Sequence, residues 1–208
     1  MVSPETEAGG ADMRPSRRLV PADLLSLEQY ARERAAFRAR VIAHKRLRTV
    51  GVGPHATWCF EDRLTVQYQI QEMLRIERIF ESRGIQDEID AYNPLIPDGT
   101  NLKATFLIEY TDADERAVAL SRLRGVESCC LITVGDDVAT AIADEDLERE
   151  NDTKTSAVHF LRFELSARAR SFLAAGAPLR LSIDHPAYSH SLEVSAETRA
   201  ALLADLAP

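Results

Sequence analysis

Apolar and polar positions change period several times along this chain, and each change predicts an element. Residues 63–82, RLTVQYQIQEMLRIERIFES, repeat at helical spacing. At about 100° per residue, Val66, Ile70, Met73 and Phe80 fall on one stripe. The pattern predicts one long helix over 63–82, closed at Ser82-Arg83-Gly84 with Gly84 as a left-handed cap. Glu77 lies in the middle of that stripe. A charge held there must be paired, protonated or bound to something.

A second long helix is predicted over 27–45. Ser26 and Gln29 have capping-box spacing ahead of it. Leu27, Tyr30, Phe37 and Val41 share one face, with Arg34 and Arg38 on or beside it. Residues 47–52 read as a strand, Gly53-Pro54-His55-Ala56 as a turn, and residues 57–60 as the returning strand. A shorter helix over 86–92 ends at Asn93-Pro94, and Pro97-Asp98-Gly99 turns the chain.

The period then alternates between strand and helix: strand 102–110, helix 112–124, strand 126–134, a turn at Gly135-Asp136-Asp137, and strand 138–143. An acidic polar stretch over 144–155 reads as a linker or loop. Strand, helix, strand, hairpin turn and strand then recur. Phe106-Leu107-Ile108-Glu109-Tyr110 parallels Phe160-Leu161-Arg162-Phe163-Glu164, and Leu131-Ile132-Thr133-Val134 parallels Leu181-Ser182-Ile183. Residues 102–143 and 156–194 therefore read as two copies of one unit, with convergent element order as the alternative. A last helix covers 195–206, with Ser195 as N-cap. The expected fold is α+β: two long N-terminal helices and a β-hairpin packed with a mainly antiparallel sheet. A tail over 1–19 precedes a single domain over 20–208.

Composition narrows the function. With 208 residues, 45% of them hydrophobic, the chain can bury one sizeable core or two small ones. The net charge of −8 argues against a general nucleic-acid binder. The apolar runs fall well short of the roughly 18 residues of a membrane span. Cys59, Cys129 and Cys130 lack metal spacing and read as buried reduced thiols, with redox chemistry as the alternative, which fits a cytoplasmic protein.

Two sets of residues could carry chemistry. Glu77 can reach Arg34 or Arg38 if the long helices pack together. The outcome is either a register-fixing ion pair or a polar pocket in which Glu77 is a metal ligand or acid/base. The helix carries no histidine, so it is not the Glu-x-x-His arrangement of diiron bundles. The second set is Asp184, His185 and His190, near a strand end, which could hold a divalent metal together with a carboxylate from elsewhere; a turn stabilised by Asp184 and Pro186 is the alternative. No G-x-S-x-G, G-x-G-x-x-G or Walker-type loop is present.

Four segments carry a resemblance: Asp23-Leu24-Leu25-Ser26-Leu27-Glu28; Gln69-Ile70-Gln71-Glu72-Met73-Leu74 with Glu77; Tyr92-Asn93 before Leu95-Ile96-Pro97; and Asp184-His185-Pro186-Ala187-Tyr188. Together they resemble an uncharacterised bacterial family, the domain of unknown function numbered 3501, over about residues 20–206. The resemblance implies association with rubrerythrin-like proteins and iron–sulfur oxidoreductases, and assigns no reaction. Three readings follow. The first is a cytoplasmic accessory or binding protein of a redox or iron-related system, with a protein partner. The second is a metal-dependent enzyme whose pocket holds Glu77 with Arg34 or Arg38. The third is a structural homo-oligomer.

Overall fold

A computed structural model describes residues 17–143 and 154–206. The first long helix, α1 (Leu27–Lys45), starts where the capping box predicts. The Ser26 hydroxyl accepts from the Gln29 N–H, and the Gln29 side chain accepts from the Ser26 N–H. A short hairpin follows, β1 (Thr49–Gly51) and β2 (Ala56–Phe60). The second helix, α2 (Arg63–Glu77), is capped by Asp62, whose carboxylate accepts from the Thr65 N–H. A third, α3, covers Ser82–Tyr92.

The predicted 63–82 helix is thus two helices. Arg78 takes the left-handed conformation at φ 56° and closes α2, with its own N–H and that of Ile79 both donating to the Leu74 carbonyl. Gly84 is not the cap. It sits inside α3, where an added Cβ would lie 2.7 Å from Ile79 Cγ2. Its bareness lets the α2–α3 corner fold back on itself.

The remaining elements are β3 (Asn101–Ile108), α4 (Ala113–Arg122), β4 (Cys130–Val134), β5 (Asp137–Thr140), β6 (Ile142–Ala143), β7 (Val158–Glu164), α5 (Ala167–Ala174), β8 (Leu179–His185), β9 (Tyr188–Glu193) and α6 (Ala196–Leu203). They form two antiparallel sheets, in the orders β1-β2-β3-β7-β6 and β5-β4-β8-β9. The predicted strand 126–134 begins as a 3-10 turn over Val126–Cys129, so only Cys130 of the cysteine pair is in a strand. The predicted strand 138–143 divides at Ala141, where the chain passes from one sheet to the other. The two expected units have the same element order, and corresponding strands pair antiparallel: β3 with β7, β4 with β8.

Strand alternation builds the core. Trp58, Phe106 and His159 lie abreast on the buried face of one sheet, and Ile132 and Leu181 on that of the other. The inner faces share one apolar cluster, to which α4, α5 and α6 add Leu120, Leu173 and Leu202. A second, smaller core lies among the helices: Leu19, Val66, Ile70, Leu74, Ile89 and Ile96. The expected tail boundary moves accordingly, because Leu19 is buried in this core; residues 1–16 of that tail and 144–153 of the expected linker lie outside the described residues. Among the described residues, no helix is long and apolar enough to cross a membrane.

The β1–β2 turn joins the two sheets. Tyr188 Oη donates to the Val52 carbonyl at 2.8 Å and accepts from the His55 N–H at 2.9 Å. Gly53 sits there at φ +79°, and an added Cβ would stand 2.6 Å from both the His190 ring and Tyr188 Oη. Gly53→Ala is expected to cost roughly 2 kcal/mol, from a strained φ and a close contact together. Chemical denaturation checks this, with Gly176→Ala as the comparison. Gly176 also has positive φ, but nothing lies within 4 Å of its would-be Cβ, so it isolates the backbone share.

Candidate functional site

Glu77 is the last residue of α2 and is exposed, as is Arg38. The early end of the helix removes the apolar stripe that would have enclosed it. Neither the buried ion pair nor the polar pocket expected of Glu77 forms, because a carboxylate at an exposed helix end keeps its hydration.

The carboxylate that Arg34 meets is Glu72. Arg34 Nε and Nη2 donate to Glu72 Oε1 and Oε2 at 2.7 and 2.8 Å. Tyr30 Oη donates to Oε1 at 2.5 Å, and Arg75 Nη2 to Oε2 at 3.2 Å. The Arg34 guanidinium, followed by the Tyr30 and Arg75 hydrogen bonds, holds the Glu72 carboxyl down at about 2, against the opposing effect of burial. Burial and the same carboxylate push the Tyr30 phenol well up. Every strong acceptor site of Glu72 is thus occupied by α1 or by its own helix. This arrangement locks two helices in register.

Asp184, His185 and His190 do not converge. Asp184 and His185 are successive residues of β8 and point to opposite faces. His185 is buried. Its Nε2–H donates to the Arg124 carbonyl at 3.1 Å, and its Nδ1 accepts from the Ala187 N–H at 3.2 Å. Both ring nitrogens of a neutral imidazole are therefore engaged in shaping the β8–β9 turn. His190 packs edge-on against Tyr188, ring centroids 4.6 Å apart. Among the described residues, no group of three His, Cys, Asp or Glu is placed to hold a metal ion.

Sequence reasoning missed a buried polar cluster where four segments meet. Arg48, 3% exposed, donates from Nη1 and Nη2 to the two Asp205 oxygens, each at 2.7 Å. Its Nη2 also lies 3.2 Å from Asp62 Oδ2, whose other close neighbour is His44 Nε2 at 2.5 Å. Burial pushes the Asp205 carboxyl up, and the Arg48 guanidinium pulls it back. Beside it, Glu61 accepts from the Thr65 and Thr105 hydroxyls. The end of α1, the start of α2, the first sheet and the C-terminal turn are held by this one network.

The motif residues also resolve into structural work. The buried amide of Gln71 accepts from the Leu25 N–H at 2.6 Å and donates to its carbonyl at 3.3 Å. Asn93 does the same for Leu19, at 2.8 and 2.9 Å. Each side chain reads the backbone as a neighbouring strand would.

Of the surface features, two bear on function. A hollow of about 770 Å³ is lined by His55, Glu109, Tyr110, Arg116 and apolar neighbours. Much of its polar wall is engaged: the His55 ring stacks on Tyr110 with its Nδ1 on the Glu109 carbonyl, and the Glu109 carboxylate takes the Thr57 hydroxyl. The other feature is the α2–α3 corner. Phe80 there is 74% exposed and Ile76 62%, set among exposed Arg75, Glu77, Arg78, Glu81 and Arg83.

A family model described as a protein of unknown function, DUF3501, matches residues 18–206. A solved structure, described as a novel protein of unknown function from Burkholderia pseudomallei, aligns with a TM-score of 0.86 and 51% identity, covering 91% of this chain and 99% of that one. No curated protein matches.

Proposed function

The chain belongs to the DUF3501 family of proteins of unknown function, and on that footing we propose that it is a cytoplasmic accessory protein that binds another protein of a bacterial redox or iron-related system. The observation that supports this reading is the α2–α3 corner. Phe80 is the most exposed large apolar side chain among the described residues, and charged groups surround it. An aromatic anchor with a charged rim is the usual anatomy of a protein-binding hot spot. The corner is also held rigidly, by the Arg78 cap and by Ile79 seated against Gly84. A rigid anchor loses little entropy on binding. The redox or iron context, and a rubrerythrin-like or iron–sulfur partner, come from the family resemblance alone.

Calorimetric titration of the full chain with a purified rubrerythrin-like protein from the same organism tests the proposal. Saturable binding is expected, weakened roughly thirtyfold by Phe80→Asp, the ~2 kcal/mol of a hot-spot truncation. Val138→Thr, at an exposed position of β5, should leave it unchanged. No binding to either a rubrerythrin-like or an iron–sulfur oxidoreductase, or binding indifferent to Phe80→Asp, overturns it.

A further inference from the structure

The last strand of the second sheet ends that sheet without a cover. β9 pairs with β8 on one side only. The phase of its hydrogen bonds follows from the pairing. The Val194 N–H donates to the Leu179 carbonyl, so the directly opposed pairs that exchange bonds are Val194 with Leu179, Leu192 with Leu181 and His190 with Ile183. The N–H and C=O groups of Ser189, Ser191 and Glu193 therefore point away from the sheet. All three residues are exposed. The strand YSHSLE has no proline, no lysine and no bulge, the usual devices that protect an edge. The opposite edge strand, β5, runs on through Ala141 into β6 of the other sheet.

The geometry points to a second copy of this chain as the occupant, paired antiparallel along β9 about a two-fold axis at Ser191. The choice of register and of partner rests on the side chains. Centred on Ser191, the three outward N–H groups of each copy meet the three outward C=O groups of the other. Ser191 then faces the second copy's Ser191, and Ser189 faces the second copy's Glu193, so each carboxylate meets a hydroxyl donor. Centring on Glu193 would oppose two carboxylates directly, which is destabilising. Centring on Ser189 would run the pairing into the Pro186–Ala187 turn, where proline lacks an N–H. Axes at His190 or Leu192 would pair only two of the three outward residues of each strand, giving four hydrogen bonds within the strands where the Ser191 axis gives six, so this register alone uses every outward group of the edge. The seam joins two four-stranded sheets into one of eight strands with isologous symmetry.

Sedimentation velocity on the full chain tests this. The wild type should sediment at twice the 23.1 kDa chain mass. Ser191→Pro removes an outward N–H that takes no part in the β8–β9 ladder, so it should give a monomer that still unfolds in one cooperative transition with unchanged far-UV circular dichroism. Ser191→Cys should form a disulfide-linked dimer on mild oxidation, because opposed residues of a bonded pair lie about 5.5 Å apart, within disulfide reach. Glu193→Cys, which faces Ser189, should not exceed the wild-type level of cross-linking. A monomeric wild type, a dimer that survives Ser191→Pro, or equal cross-linking of the two cysteine variants overturns the proposal.

Discussion

Arg48→Met is expected to lower stability by about 3–5 kcal/mol, because it leaves the buried Asp205 and its neighbour Asp62 without their shared cation. For a chain of this size that is a fall of roughly 10 °C in melting temperature. The pH dependence separates lost charge from lost packing. The Asp205 carboxyl already stands above its ordinary value near 3.8, and without the guanidinium, burial and the neighbouring Asp62 push it further up. A raised folded pKa means that the native state holds its proton more tightly than the unfolded chain. The deficit is then full above the raised value and shrinks as pH falls towards about 4. Denaturation midpoints between pH 4 and 8 check this. A deficit that stays constant with pH would assign the effect to packing of the arginine stem instead.

Glu72→Gln is the second large effect, about 2–3 kcal/mol at neutral pH, since Tyr30, Arg34 and Arg75 all donate to one charged acceptor. The sign of its pH dependence is opposite. The Glu72 carboxyl sits at about 2 in the fold against 4.5 unperturbed, so its stabilisation is fully present above 4.5 and is lost as pH falls towards 2. The wild-type and variant stability curves should therefore converge through that window. Parallel curves would show that the α1–α2 lock does not depend on the charge.

The two networks also mark how far the sequence could be read. Local signals carried well. Ser26 caps α1 and Ser195 caps α6 as expected, and the strand–helix–strand–strand order of both units is present. Each of these depends on residues within a few positions of one another. The break at Arg78 was not legible, because a left-handed residue other than glycine leaves no mark in composition or periodicity. A helix continued to Ser82 places Glu77 on a buried stripe. Arg34 pairs instead with Glu72, five residues earlier, on the face turned to α1. The Arg48–Asp205 pair spans 157 positions and obeys no spacing rule at all. His185 looked like a ligand because it stands at a turn, yet the same turn consumes both of its nitrogens.

The interleaving of the two strand–helix–strand–strand units has a consequence for the newborn chain. The helical region owns a separate apolar cluster and finds nearly all of its partners within residues 19–96. It can collapse while synthesis continues. The sheets cannot close, because β3 waits for β7 and β4 waits for β8. Until the second unit leaves the ribosome, both strands keep a bare hydrogen-bonding side and an uncovered apolar face. Closure of such distant pairings is slow, and the waiting species is prone to aggregate. Asp205 reaches Arg48 only once residue 205 has emerged, so until then the arginine has Asp62 beside it but lacks its bidentate partner. A chain stalled short of residue 205 should therefore be a client for chaperones rather than a smaller version of the folded protein.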